Sequence, residues 1–200
     1  MKKLLVAMMV AVLPLGVLAG CTKPAPTDTV KEFLTAVQKG DYEKARTFVE
    51  DTDNGFEFSK MTETKDGISG EEMFKAITKN YKFKDPVEVS NTDDAAEVKV
   101  EITSVDMASA MTKTLAEIMP VALASAFSEN KEESEKKMEE LTATTIMKHI
   151  TADDAATATR EVTLNVKKDK DGNYKIVANE ELGEALLAKS KELENKLKQN

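Results

Sequence analysis

The chain predicts an α+β fold: an N-terminal helical hairpin packed on a curved, cone-like antiparallel sheet, a two-helix insertion between strands, and a C-terminal helix. Three observations lead there. Apolar residues recur at helical spacing in two short segments joined at Gly40. Strict alternation marks two strands, Val98-Val100-Ile102 and Val162-Leu164-Val166. Between those strands lies a stretch, about 106–150, long enough for two helices.

The first twenty residues stand apart from that domain. Lys2 and Lys3 precede an uncharged apolar run from Leu4 to Ala19, and Leu18-Ala19-Gly20-Cys21 closes it with small residues before the chain's one cysteine. A basic start, an apolar centre and a small-residue cleavage site define a secretory signal peptide. The cysteine directly after it makes this stretch resemble a bacterial lipobox, which implies cleavage between Gly20 and Cys21 and a thioether-linked diacylglycerol on Cys21. A transmembrane helix needs about 20 apolar residues; Leu4–Ala19 is shorter and holds Pro14 and Gly16. Ordinary cleavage would leave Cys21 as a free thiol with no partner for a disulfide. The expected location is therefore the extracytoplasmic face of the cell membrane, with two acyl chains as the anchor.

Residues 21–27 contain Pro24 and Pro26 and read as a tether, and 28–200 as one domain. Thr29 and Glu32 have capping-box spacing, and Val30, Phe33, Leu34 and Val37 share a helical face. Gly40 ends that helix. Asp41 caps a second, with Tyr42, Ala45, Phe48 and Val49 inward. Phe56 and Phe58 alternate, which suggests a short strand, and Ser69 and Glu72 cap a helix running to about Asn80.

Tyr81 and Phe83 share one strand face, and Pro86 marks an edge or bulge. Asn91–Asp94 turns the chain into the Val98 strand. In the insertion, Met107–Ser128 presents Met111, Leu115, Ile118, Met119, Ala122 and Phe127 as its stripe, with a kink at Pro120. Lys131–Ile150 is the second helix, charged at first and apolar at Met138, Leu141 and Ile146. Asp171-Gly172 turns the Val162 strand into Tyr174–Val177. A final helix from about Glu181 aligns Leu182, Leu186, Leu193 and Leu197.

Two segments, VKEFLTAVQKGDYEKARTFV and REVTLNVKKDKDGNYKIVANEEL, flank paired strands and a helical insertion. With that order of elements the chain resembles uncharacterised bacterial lipoproteins carrying a nuclear-transport-factor-2-like, cystatin-like domain. The resemblance implies a curved sheet wrapped around helices into a cone. It implies no activity, because fold alone confers none.

Charge excludes some partners. The net charge is −8, and loss of Lys2 and Lys3 takes it to −10. Nucleic acid is bound mainly through Lys and Arg, and anionic lipid head groups likewise attract basic segments, so neither is expected. Trp is absent, which disfavours sugar-stacking platforms.

Candidate chemistry is sparse. The positions expected inside the cone are Tyr81, Phe83, Val98, Val100, Ile102, Val162, Leu164, Val166 and Ile176; none is a carboxylate or imidazole able to act as general acid or base. His149, the one histidine, sits near a helix end that favours positive charge. Asp169–Asn173 has calcium-loop residues but Tyr174 where that loop needs glycine, and strands flank it. No metal and no cofactor are expected. Five of the seven methionines after residue 20 lie between Met107 and Met147, and methionine lines adaptable binding surfaces as well as cores.

The sequence therefore points to a non-enzymatic binding or structural module of the cell envelope. Tyr81, Phe83, Val100, Ile102, Met111, Leu115, Val162 and Leu164 would line an apolar pocket for a small apolar ligand or peptide. An isomerase- or hydrolase-type enzyme and an extracellular folding helper are the alternatives; oligomeric state is left open.

Overall fold

A computed structural model describes residues 23–52, 56–64, 69–127 and 130–190. Gly20 and Cys21, with the rest of the expected signal segment, lie outside them, as do Leu193 and Leu197.

The elements in order are α1 (Pro26–Gln38), α2 (Tyr42–Arg46), β1 (Val49–Glu50), a 3-10 helix (Phe58–Thr62), α3 (Gly70–Thr78), β2 (Lys82–Phe83), β3 (Val87–Asn91), β4 (Ala95–Val105), α4 (Met107–Ser125), α5 (Lys131–Thr151), β5 (Thr157–Lys168), β6 (Tyr174–Val177) and α6 (Glu180–Leu186). They build an open six-stranded sheet in the order β1-β6-β5-β4-β2, with β3 also on β4. All pairs are antiparallel except β1 with β6.

The spine of the sheet is β4 against β5, in register from Ala95↔Lys167 to Val105↔Thr157. The expected alternation is realised there: Val98, Val100, Ile102, Val162, Leu164 and Val166 are all buried on one face. Two short strands share the far edge of β4, interrupted around Pro86, which has no N–H to give the ladder. The buried face is covered by α1 through Val30, Phe33, Leu34 and Val37.

Beside α1, four aromatic rings interlock. Tyr42 stacks on Phe58 at 5.3 Å, and Phe33 and Phe74 meet Phe58 edge-on. The Tyr42 hydroxyl donates to the Phe58 carbonyl at 3.1 Å, so its polar tip is satisfied where it is buried.

Several local expectations are corrected. Helix α1 begins at Pro26 and not at a Thr29 cap; Asp28 accepts from the Ala25 N–H at 3.3 Å, and Thr29 is buried inside the helix. The second helix stops at Arg46, because Val49–Glu50 is recruited as a parallel strand by β6. There the Ile176 and Ala178 amides donate to the Phe48 and Glu50 carbonyls. Phe58 starts a 3-10 helix and not a strand, with its N–H donating to Asp51. The Ser69 side chain makes no capping bond to α3.

The helix expected to run from about Glu181 is interrupted within the described residues. It ends at Leu186, Leu187 is extended, and Ala188 bridges Asp106 beside the end of β4. Lys189 follows with φ +60°, in the left-handed region. A chain that pairs with a strand end at 188 cannot still be helical there.

Candidate functional site

The eight residues expected to line a pocket do not form one group. Tyr81, Val100, Ile102, Val162 and Leu164 are buried in the continuous core, with Phe83 and Met111 partly buried against it. Leu115 is 49% exposed and stands apart. Of the stripe expected on helix α4, Ile118 is buried and Met111 partly so, while burial also takes in Ala108 and, to one side of the stripe, Ala110 and Thr114. Thr114 tolerates full burial because its hydroxyl donates to the Ala110 carbonyl at 2.9 Å. A hydropathy stripe leaves such a threonine out.

The buried face of the sheet is also not wholly apolar. Its two-residue period continues past Ile102 to Ser104 and Asp106, and back from Val162 to Arg160. This extension of the same alternation was the signal available in the sequence. The Arg160 guanidinium donates to the Ala158 carbonyl at 3.2 Å, to Ser104 Oγ at 3.0 Å and to the Glu184 carbonyl. Its Nε has no hydrogen-bond acceptor and sits 3.8 Å from Glu184 Oε2. Ser104 Oγ also accepts from the Ala188 N–H at 3.1 Å.

Asp106 caps α4, accepting from the Ser109 N–H at 3.0 Å, while Lys189 Nζ lies 2.6 Å from its other oxygen. Burial pushes the Asp106 carboxyl up, but the Lys189 ammonium and the Ser109 N–H outweigh it and hold the group below the ordinary carboxylate range. The Tyr81 hydroxyl donates to the Ala185 carbonyl at 2.9 Å, and burial raises its pKa. Each carboxylate oxygen of Asp106 is thus engaged within the chain. The cluster ties residues 184–189 to the end of β4; it is a clamp between chain segments.

Two other candidates resolve as scaffold. His149 lies in the last turn of α5, 3.1 Å from Glu117 on α4, and Lys148 approaches the same carboxylate at 2.7 Å. The Lys148 ammonium holds the Glu117 carboxyl below its usual range. Asp169 accepts from the Asp171 and Asn173 amides at 2.9 and 2.8 Å, closing the β5–β6 turn around Gly172 at φ +75°. Among the described residues no three His, Cys, Asp or Glu side chains gather as a metal site.

The feature without an internal explanation is the distal half of α4. Every residue from Met119 to Ala124 is exposed, and no charge occurs from Ile118 to Phe127. Met119, Leu123 and Phe127 are 57%, 63% and 88% exposed. Leu115, Met119 and Leu123 are spaced four apart and form one ridge along the helix, and Phe127 follows in the turn after it. Pro120 lies within the helix, and its exposed position lets water reach the Ala116 carbonyl, to which proline has no N–H to give. Between this end of α4 and the start of α5 is a groove of about 360 Å³, lined by Ser125, Ala126, Lys131, Ser134, Glu135 and Met138.

No family model matches this chain, and no curated protein matches it. Among solved structures it is similar to ycdA of Bacillus subtilis subsp. subtilis str. 168, a candidate lipoprotein, at 17% identity and a TM-score of 0.42. That match covers 58% of this chain and 36% of the other, so the chain spans about a third of its neighbour's length. Among the described residues no helix is long and apolar enough to cross a membrane.

Proposed function

We propose that this chain is an extracytoplasmic lipoprotein, held by acyl chains on Cys21, whose domain acts as a non-enzymatic interaction module. The observation that carries the second half is the uncharged, exposed distal half of α4. An apolar helical segment is normally covered, and among the described residues Met119 to Ala124 are left exposed where α4 passes beyond the core. Apolar patches of about 300–600 Å² are the largest a typical monomer shows and are often functional.

The lipobox resemblance supports the anchor. Because most of the expected lining residues are core, we place the expected apolar partner on the outer surface of the α4–α5 hairpin and not in a pocket. The nuclear-transport-factor-2-like relationship belongs to the same proposal: α1 across an open, mainly antiparallel sheet suits it.

The arrangement also orients the module. Lys23, two residues after the proposed anchor, donates to the Asp171 carbonyl at the β5–β6 turn. The hairpin is rooted at the other end of β4 and β5, next to Val105 and Thr157. A ladder of eleven residues spans about 35 Å. The hairpin base thus stands at the far end of the sheet from the tether.

Mass spectrometry of the mature N-terminal peptide tests the anchor: an acylated Cys21 is expected, and Cys21→Ser should move the chain from the membrane to the soluble fraction. An unmodified Cys21 on a wild-type chain would refute it. For the surface, a photo-crosslinking residue at position 123 should give adducts in cells that the same probe at position 161 does not. Equal yields at both positions would count against an interaction surface on α4.

A further inference from the structure

We infer that Met119 is a redox modification site: peroxide converts its thioether to the sulfoxide ahead of the other methionines after residue 20, and the conversion makes the middle of the α4 ridge polar. The site stands on how the methionines are buried. Its effect on an apolar surface rests on the reading proposed above.

Access singles out this sulfur. The seven methionines after residue 20 all fall within the described residues. Met61, Met73, Met107, Met111 and Met147 are partly buried against the core. Met138 is half-buried in the groove between α4 and α5. Met119 alone of the seven is exposed, at 57%. An oxidant must reach the sulfur lone pair, so packing shields the others and leaves this one open. The chain has one cysteine, and acylation of Cys21 would leave no thiol to react first.

The step asks nothing of the protein beyond that access. The thioether attacks one oxygen of hydrogen peroxide, an S–O bond forms and the O–O bond breaks. The departing hydroxide takes the proton left on the transferred oxygen and leaves as water. Sulfur is oxidised by two electrons and the peroxide reduced by two.

Position keeps the change local. Leu115 and Leu123 flank Met119 one turn to either side and are 49% and 63% exposed, and none of the three belongs to the core. The added oxygen therefore meets water. Oxidation converts a flexible apolar side chain into a polar one, and its oxygen would have to be stripped of water whenever an apolar partner covered the ridge. At Met111 or Met147 the same oxygen would press on the core instead. The surface can thus respond to an oxidant while the domain stays folded.

The test treats the purified full acylated chain with dilute hydrogen peroxide and follows each methionine by peptide mass spectrometry. Met119 should oxidise roughly tenfold faster than the five core-packed methionines and ahead of Met138, and in urea the seven rates should converge. Another methionine oxidised first, or equal rates in the folded chain, would overturn the site. The chain oxidised at Met119 should keep the melting temperature of the untreated one; a fall of several degrees would place the sulfur in the core. In cells, peroxide should cut the adduct yield of the photo-crosslinking residue at position 123 several-fold, while Met119→Leu, which keeps the apolar bulk without the sulfur, should hold its yield. Adducts that survive oxidation of Met119, or that Met119→Leu loses equally, would overturn the effect and leave the surface standing. A probe at 123 that gives no more adducts than one at 161 would overturn the surface and this effect together, with the order of oxidation still deciding the site.

Discussion

Removing the Asp106 carboxylate tests whether the polar end of the sheet is a clamp. Asp106 is 5% exposed and does two jobs at once. It caps α4 through Ser109, and it holds Lys189, whose left-handed backbone needs support from its surroundings. Losing an N-cap costs about 1 kcal/mol. The Lys189 side chain is 44% exposed, so solvent screening limits that contact to roughly 0.5 kcal/mol. Asp106→Ala should therefore lose about 1.5–2 kcal/mol, a drop in melting temperature of about 3–8 °C for a domain of this size. Asp106→Asn keeps a capping oxygen and should lose only about a third as much.

The pH dependence follows from the depressed pKa. The folded state binds this proton less readily than the unfolded chain, so the carboxylate's contribution is complete above the ordinary Asp pKa of about 3.9. It disappears as pH falls through the lower folded value. Urea unfolding at several pH values reads this directly: the gap between wild type and Asp106→Ala should be full at pH 7 and should narrow in acid toward what a neutral capping oxygen leaves. A gap that stays constant into acid, or an Asp106→Asn as damaged as Asp106→Ala, would refute the assignment.

Three further outcomes are expected in the same urea assay. Arg160→Met should cost about 2–3 kcal/mol, since it strips partners from buried Ser104 and the Glu184 carbonyl, and Arg160→Lys should not restore it because an ammonium lacks the planar fork; full rescue by lysine would contradict this. Leu164→Ala should lose about 2–5 kcal/mol by cavity formation, whereas Leu115→Ala should stay within about 0.5 kcal/mol, and comparable losses would return Leu115 to the core. Gly70→Ala should cost about 2 kcal/mol or more, because its Cβ would sit 2.2 Å from the Thr62 carbonyl carbon and backbone must move. Gly40→Ala, where the nearest atoms lie at 3.4 Å, should lose only the roughly 1–2 kcal/mol of left-handed strain; equal losses would remove the steric argument.

Periodicity located most elements because burial on one side leaves a repeating mark. The alternation in β4 and β5, the Gly40 hairpin, both insertion helices and the Asp171-Gly172 turn all follow from residues a few positions apart. The candidate surface was half legible. Residues Met119 and Phe127 were recognised as apolar, but their helical spacing suggested burial, and the face that actually packs uses Ala110 and Thr114. The polar clamp was legible in part, since Ser104, Asp106 and Arg160 continue the inward alternation.

By itself the sequence determined the class of fold, the strand faces that make the core and the lipobox-like stretch at Cys21, because each is written in local spacing. Tertiary structure alone decided that Val49–Glu50 joins β6, that α6 ends so Ala188 can bridge Asp106, and that the distal half of α4 is left open. Those outcomes depend on which distant segment satisfies a backbone amide or covers a face. No pattern within one segment records what its neighbour will offer.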